Sequence, residues 1–175
     1  PDDLRFNCPP IGARKEAGRT RTKAKNVNDS LNIRPLRPED EAHWRRLWTG
    51  YLDYYETRVD DAVYETSFAR LLGDDERDFN GLIATLNDTP VGLVHFLFHR
   101  HMWKREDTCY LQDLYTDPDC RGRGVARALI EAVYREADRA GAPSVYWLTQ
   151  DFNTRARVLY DKIGTRTPFI RYNRF

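Results

Sequence analysis

Apolar and polar positions repeat along the chain with two different periods, and the changes of period divide it into short strands and helices. A period of two over residues 31–36 predicts a first strand, and Pro35 marks its end or its place at a sheet edge. Pro38 and the two acidic residues after it suit the first turn of a helix. Apolar residues then recur every three or four positions, which predicts one buried helix face. They are Trp44, Leu47, Trp48, Tyr51, Leu52 and Tyr55.

The rest of the chain alternates between the same two kinds of pattern. The predicted elements are a helix over 61–72, strands at 81–86 and 90–98 joined by a turn, a strand at 110–116, a helix from 125 that stops at Gly141, a strand at 145–149, a helix at 153–162 and a strand at 169–172. The order βααβββαβαβ predicts a mixed α/β fold, in which a twisted central sheet carries helices on both faces.

Length and composition predict one folded domain with a basic extension. A chain of 175 residues that is 41% hydrophobic and contains four tryptophans can build a single core. Residues 1–30 are polar and basic, and we predict a flexible tail there because they bury too little apolar surface to offset their ordering entropy. The folded domain is predicted over residues 31–175.

Charge and cysteine content narrow the expected partners. The net charge is +1, which indicates neither nucleic acid nor a membrane surface as a partner. The chain has no apolar run long enough for a membrane helix and no signal-peptide core at its start. Three cysteines without metal-binding spacing predict free thiols in a reducing compartment, which we take to be the cytoplasm, and no metal site.

The segment from Tyr110 to Ile130 carries the clearest candidate chemistry. A strand is followed by a turn and by two glycines that open a long helix, and the bare backbone N–H groups of such a helix start suit a diphosphate. A dinucleotide-binding fingerprint requires a small residue where Arg127 stands, and the Gly-Lys-Ser/Thr of a Walker P-loop is absent. The pattern Gln/Arg-x-x-Gly-x-Gly/Ala matches residues 121–126, and an ordinary glycine-rich turn is the alternative.

A second motif makes the resemblance to one family specific. Residues 153–164 read Asn-x-x-Ala-x-x-Leu-Tyr-x-Lys-x-Gly. Together with the glycine motif, this pattern resembles the Gcn5-related N-acetyltransferase (GNAT) superfamily over about residues 31–175. The stretches 110–116 and 144–149 are most similar to Hpa2-type acetyltransferases, a subgroup associated with histones, polyamines and amino acids, and more distantly to diamine acetyltransferases.

The resemblance implies that acetyl-CoA is the co-substrate and that mainly backbone groups hold it. Residues 114–116 would bind the pantetheine arm as an added strand, and one of their N–H groups would polarise the thioester. The N–H groups of residues 121–127 would bind the pyrophosphate, and Asn153 would bond the pantetheine or cap its own helix. The implied cofactor residues are Leu114, Tyr115, Thr116, Arg121, Gly122, Arg123, Gly124, Val125, Ala126, Arg127 and Asn153.

Tyr160 is the candidate general acid, because a phenol is protonated at pH 7 and can donate to the departing sulfur. The alternative is a plain core aromatic, since Tyr160 adjoins an apolar stripe. The general base stays open: Gln112 stands where diamine acetyltransferases carry a glutamate, and strand alternation directs Asp113 to the opposite face. The further alternatives are Glu56, Glu65, Asp151, a chain of waters, or an amine that enters partly neutral.

The expected reaction is transfer of an acetyl group to a primary amine of a polyamine, an amino acid or a lysine side chain. Acyl-CoA binding without turnover and histone-type lysine acetylation are the alternatives. We expect the first two helices and the loop at 99–107 to form the acceptor pocket, and a homodimer or homotetramer to form by exchange of the last strand. The candidate acceptor residues are Tyr51, Tyr55, Gln112, Tyr146 and Trp147.

Overall fold

The computed structural model describes residues 30–174, so the predicted tail at 1–30 lies outside the described residues except for Ser30. The elements are β1 (Leu31–Pro35), α1 (Glu41–Tyr54), α2 (Asp61–Leu71), β2 (Asn80–Leu86), β3 (Thr89–His99), β4 (Thr108–Thr116), α3 (Val125–Arg139), β5 (Ser144–Trp147) and α4 (Thr154–Ile163), with 3-10 turns at Pro38–Asp40 and Pro118–Cys120. The predicted order is confirmed as far as α4. Within the described range, no helix is both long and apolar enough to cross a membrane.

The predicted last strand at 169–172 is wrong for the described chain. These residues adopt no regular structure, and Phe169, Ile170 and Tyr172 are 82%, 75% and 88% exposed. A strand requires a hydrogen-bonded neighbour, which the local pattern of residues cannot supply. Among the described residues β5 pairs only with β4, so the C-terminal segment adds nothing to the sheet.

The five strands form one mixed sheet in the order β1-β2-β3-β4-β5. The first four are antiparallel to their neighbours, whereas β4 and β5 are parallel and are connected through α3. A two-residue turn at Asn87 and Asp88, with φ values of 49° and 65°, joins β2 to β3. Asn and Asp tolerate this left-handed conformation better than most residues, which explains the tight hairpin.

Helices cover both faces of the sheet, as predicted. On one face, Val125, Leu129 and Val133 of α3 are buried against the sheet, and α4 packs beside them. On the other face, Trp44 and Leu47 of α1 are completely buried. The apolar stripe of α1 thus forms a core with α2, where the ring centroids of Trp44 and Phe68 lie 5.0 Å apart.

A β-bulge interrupts β4 where the sheet opens. His95 of β3 is opposite Asp113 and Phe96 is opposite Leu111, so Gln112 is an extra residue without a partner in β3. In a regular strand Leu111 and Asp113 would share a face. Because of the bulge, Leu111 packs in the core beneath α3 while Asp113 is directed towards α1.

Candidate active site

The glycine motif forms an open corner between β4 and α3. Gly122 and Gly124 have φ values of 79° and 84°, and a Cβ atom on either would meet nothing within 4 Å. The left-handed backbone, and not crowding, therefore requires glycine here. Gly124 is the N-cap of α3, and no described side chain caps the helix, so its first N–H groups lack the usual side-chain partner.

Side chains near the corner hold it against the rest of the fold. Arg121 Nε donates to the backbone oxygen of Thr116 over 3.2 Å, and Arg46 of α1 contacts Asp117 over 2.9 Å. The buried hydroxyl oxygen of Thr116 has no hydrogen-bond partner among residues 30–174. An orphaned polar atom beside uncapped N–H groups at a helix start fits a polyanionic ligand such as the diphosphate of CoA.

The sheet opens beside this corner. The pairing of β4 with β5 ends at Leu111 and Trp147, although β4 continues to Thr116. In the part of the chain that the structure describes, the backbone from Gln112 to Thr116 therefore has no strand on the β5 side. An extended ligand arm can bind such a bare edge in the manner of an added strand.

A small pocket lies where the two strands part. It combines aromatic side chains from α1 with residues of β4, β5 and α4, so four elements separated in sequence converge on it. The lining residues are Tyr51, Tyr55, Leu111, Gln112, Leu114, Trp147, Leu148 and Tyr160.

Tyr160 lines the pocket and also packs against the core. Its ring stands edge-on to Trp147 with centroids 5.4 Å apart. Burial raises the pKa of Tyr160 to about 12, and the neighbouring phenols of Tyr55 and Tyr54 add to the shift. The hydroxyl is therefore protonated at neutral pH, as a hydrogen-bond donor in the pocket must be.

Four of the five candidate acceptor residues meet in this pocket: Tyr51, Tyr55, Gln112 and Trp147. Tyr146 does not line it. Instead the Tyr146 ring stacks on Tyr110 at 4.9 Å, and its hydroxyl lies 3.2 Å from His99 Nε2. In β5 alternate side chains point to opposite faces, so Trp147 and Tyr146 cannot both face the gap in the same way.

The expected contributions of α2 and of the loop after β3 are wrong for this pocket. Neither provides a lining residue, and Trp103 of the loop is 85% exposed. The carboxylates considered as bases lie elsewhere as well: Glu56 and Glu65 are exposed and outside the lining, and Asp151 is ion-paired with Arg157 over 2.9 Å.

Asn153 caps α4, which is one of its two predicted roles. Its side-chain oxygen accepts a hydrogen bond from Ala156 N over 3.4 Å, and its amide nitrogen donates to Thr149 Oγ1. The cap fixes the start of the helix that carries Tyr160. Contact with the pantetheine stays a prediction.

Sequence reasoning missed two pocket residues, Leu111 and Leu148. His95 is the one ionisable side chain in the apolar run 91–98 of a central strand, and the sequence predicts that it satisfies local polar contacts rather than catalyses. The structure confirms this, since both ring nitrogens have partners in Trp44 and Asp113. Nothing local distinguished the two leucines from ordinary core residues.

Comparison with known proteins identifies the family. The profile of the Acetyltransferase (GNAT) family matches residues 43–165. The D-amino-acid N-acetyltransferase HPA3 of Saccharomyces cerevisiae is 36% identical over 151 residues, which cover 86% of this chain and 94% of that enzyme. A thialysine N-epsilon-acetyltransferase of Bos taurus is 32% identical over 121 residues, which cover 64% and 71%. The aminoglycoside N-acetyltransferase AAC(6')-Iy, solved in complex with CoA, superimposes with a TM-score of 0.73 at 21% identity, covering 87% of this chain and 99% of that one.

The chain belongs to the GNAT acetyltransferase family. It is an acetyl-CoA-dependent N-acetyltransferase, which transfers an acetyl group to an amine. Within residues 30–174 no group of three or more His, Cys, Asp or Glu side chains could hold a metal ion.

Proposed function

We propose that this enzyme acetylates the primary amine of a small amino-acid-type acceptor. The observation that carries the proposal is the convergence of Tyr160, Tyr51 and Gln112 where β4 and β5 part. The similarity of this chain to the yeast D-amino-acid N-acetyltransferase extends over 94% of that enzyme and favours amino acids over the other amines.

In this proposal the open edge of β4 and the glycine corner hold acetyl-CoA. The backbone of residues 114–116 binds the pantetheine arm, and the N–H groups of residues 121–127 bind the pyrophosphate. A backbone N–H of the β4 edge polarises the thioester carbonyl. Holding the thioester beside the amine supplies much of the acceleration, up to roughly 7–11 kcal/mol in well-oriented systems.

Transfer proceeds by direct attack of the amine nitrogen on the thioester carbon. The C–N bond forms, the C–S bond breaks, and Tyr160 donates its proton to the departing sulfur. The proton lost by the nitrogen reaches Tyr160 through solvent, so the residue ends as it began. A thiol titrates near 8.5, well below the pKa of about 12 of Tyr160. Because transfer to a free thiolate would be uphill, Tyr160 gives its proton to the sulfur only in step with recovery of the proton lost by the nitrogen, and the net result is a proton moved from nitrogen to sulfur.

A thiol-release assay with a panel of amines tests the proposal. The panel contains D- and L-amino acids, thialysine, a polyamine, an aminoglycoside and a lysine-containing peptide. We expect the highest kcat/KM with amino acids. Thiol release with none of the panel, in a protein that binds CoA by calorimetry, would refute small-amine acetylation, and a clear preference for the peptide or the polyamine would refute the amino-acid class.

We also infer a homodimer or homotetramer built around the C-terminal segment. Phe169, Ile170 and Tyr172 are highly exposed, and β5 is an edge strand among the described residues. A second copy of the chain is the occupant that would pair with the edge and bury these side chains. Sedimentation equilibrium tests this: Phe169→Ser with Ile170→Ser should shift the protein to monomer, whereas Val63→Ser on exposed α2 should not. A wild-type monomer at micromolar concentration would contradict the inference.

A further inference from the structure

A buried polar network lies beneath the pocket, on the α1 side of the sheet. Trp44 Nε1 donates to His95 Nε2 over 2.8 Å, and His95 Nδ1 lies 2.9 Å from Asp113 Oδ2. Trp48 Nε1 donates to the same carboxylate oxygen over 3.2 Å. His95 is 4% exposed and Asp113 is 6% exposed, so solvent does not contribute these hydrogen bonds.

The indole N–H of Trp44 can only donate, and this determines the direction of each hydrogen bond in the network. An indole N–H only donates, so His95 Nε2 must accept from Trp44 and carries no proton. The ring proton is then on Nδ1, which donates to Asp113. Asp113 thus receives hydrogen bonds from two neutral donors and remains a buried acceptor with further lone pairs to satisfy.

Tyr51 connects this carboxylate to the pocket. It follows Trp48 by three residues on α1, so both side chains lie on the same helix face. Tyr51 also lines the pocket beside Tyr160. Burial is the largest cause that raises the pKa of the Tyr51 hydroxyl, and the negative charge of the nearby Asp113 raises it further.

Because an ionised carboxylate only accepts, a hydrogen bond between the two groups must be donated by the Tyr51 hydroxyl. One lone pair of the Tyr51 oxygen can then accept from the neighbouring Tyr55 hydroxyl, and the other is left for the pocket. We propose that Asp113 is a positioning residue, which holds the Tyr51 hydroxyl as a hydrogen-bond acceptor for the N–H of the attacking amine. This inference rests on the proposed function and adds to it the group that orients the acceptor nitrogen.

The arrangement favours the transition state over the bound substrate. The amine nitrogen gains positive charge as its bond to the thioester carbon forms, and its N–H then becomes a stronger donor. The negative charge of Asp113 acts on that nitrogen through the polarised hydroxyl of Tyr51. Loss of the interaction should therefore lower kcat more than it raises the KM for the amine.

Reversing the direction of the hydrogen bond tests the proposal. An Asn at position 113 can donate its NH2 group to Tyr51, which turns the Tyr51 proton towards the pocket. We expect Asp113→Asn to lower kcat about 10- to 100-fold, the range for a hydrogen bond to a charged group. The affinity for CoA, measured by calorimetry, should stay within about twofold. Asp40→Asn is the matched control, since Asp40 is buried near α1 but outside the pocket lining; its kcat per folded enzyme should be unchanged.

A double-mutant cycle separates positioning from a structural role. Once Tyr51→Phe has removed the hydroxyl, Asp113→Asn should cause little further loss of kcat. Additive losses would overturn the inference, as would a kcat for Asp113→Asn equal to that of wild type. If Asp113→Asn does not fold, Tyr51→Phe is compared with Tyr55→Phe, and an equal or smaller loss at Tyr51 overturns it. A wild-type enzyme that releases no thiol would instead refute the proposed function.

Discussion

Gly50 of α1 lies directly against the ring of Tyr115 of β4. A Cβ atom on Gly50 would stand 2.7 Å from Cζ of Tyr115 and closer still to its hydroxyl oxygen. Glycine inside a helix costs roughly 0.5–1 kcal/mol relative to alanine, so its place here reflects the close approach of the helix to the strand. This contact fixes the distance between Tyr51, one residue further along α1, and the backbone edge at residues 114–116.

Gly50→Ala should destabilise the protein even though alanine favours helix. The methyl group must displace the Tyr115 ring, and overpacking of this kind costs about 1–3 kcal/mol. Thermal unfolding should show a lower Tm and a lower free energy of unfolding. Gly73→Ala is the control, because a Cβ atom there would meet its nearest neighbour at an ordinary 3.4 Å. A Tm for Gly50→Ala at or above that of wild type would contradict the packing described for Tyr115.

Gly124→Ala should weaken CoA binding through the backbone. Alanine in the left-handed region costs about 1–2 kcal/mol, and the corner can relieve that strain only by turning its N–H groups away from the ligand. Isothermal calorimetry should show an affinity reduced about tenfold or more. Gly141 also has a positive φ, of 67°, but follows α3 at its far end. Gly141→Ala should lose similar stability and keep the wild-type affinity; equal losses of affinity in both variants would count against the corner as the binding site.

Tyr160→Phe should lower kcat by about 10²-fold or more, the lower range for loss of a general acid. The phenyl ring keeps the contact with Trp147, so CoA affinity and stability should change little. Tyr134→Phe is the matched control: its hydroxyl donates to the backbone oxygen of Ile163 over 2.9 Å in the same cluster. That variant should lose about 1 kcal/mol of stability and no turnover. Equal kcat in Tyr160→Phe and wild type would remove Tyr160 as the acid.

Protonation of Asp40 should make the protein less stable at acidic pH. Hydrogen bonds from Arg34, at 2.6 and 2.8 Å, are the largest cause that lowers the pKa of this buried carboxyl. Since the unfolded value is about 3.9, the ionised form stabilises the fold above that pH and the contribution is lost as the pH falls through the lower folded pKa. Asp40→Asn should cost about 1–3 kcal/mol near neutral pH and less as the pH falls below about 4.

Urea unfolding between about pH 7 and pH 3 measures this difference. Glu39→Gln provides the comparison, because Glu39 is exposed and its ion pair with Arg37 is long, at 3.9 Å. The effect of this substitution on the free energy of unfolding should stay within about 0.5 kcal/mol. A constant difference between Asp40→Asn and wild type across this pH range would show that the pKa of Asp40 is not lowered in the folded protein.

Most of the secondary structure could be predicted because its causes are local. The stripe of α1 that includes Trp44 and Leu47 is buried as its spacing predicts, and Gly122 and Gly124 adopt the left-handed backbone that their place before a helix suggests. Asn153 caps α4 for the same reason, since its partner is only three residues away. Each of these features depends on groups within one or two turns of chain.

The sequence by itself determined the elements from β1 to α4, their order and the two motifs, because periodicity and capping act over a few residues. Tertiary structure decided the rest of the site. The bulge at Gln112 exists only through pairing with β3, and it alone directs Asp113 to His95 and Leu111 to the opposite core. Whether residues 169–172 form a strand also depends on a neighbouring strand to pair with, and the described sheet does not pair with them. Strand register and hydrogen-bond partners join residues far apart in the chain, and no local pattern of apolar and polar positions encodes them.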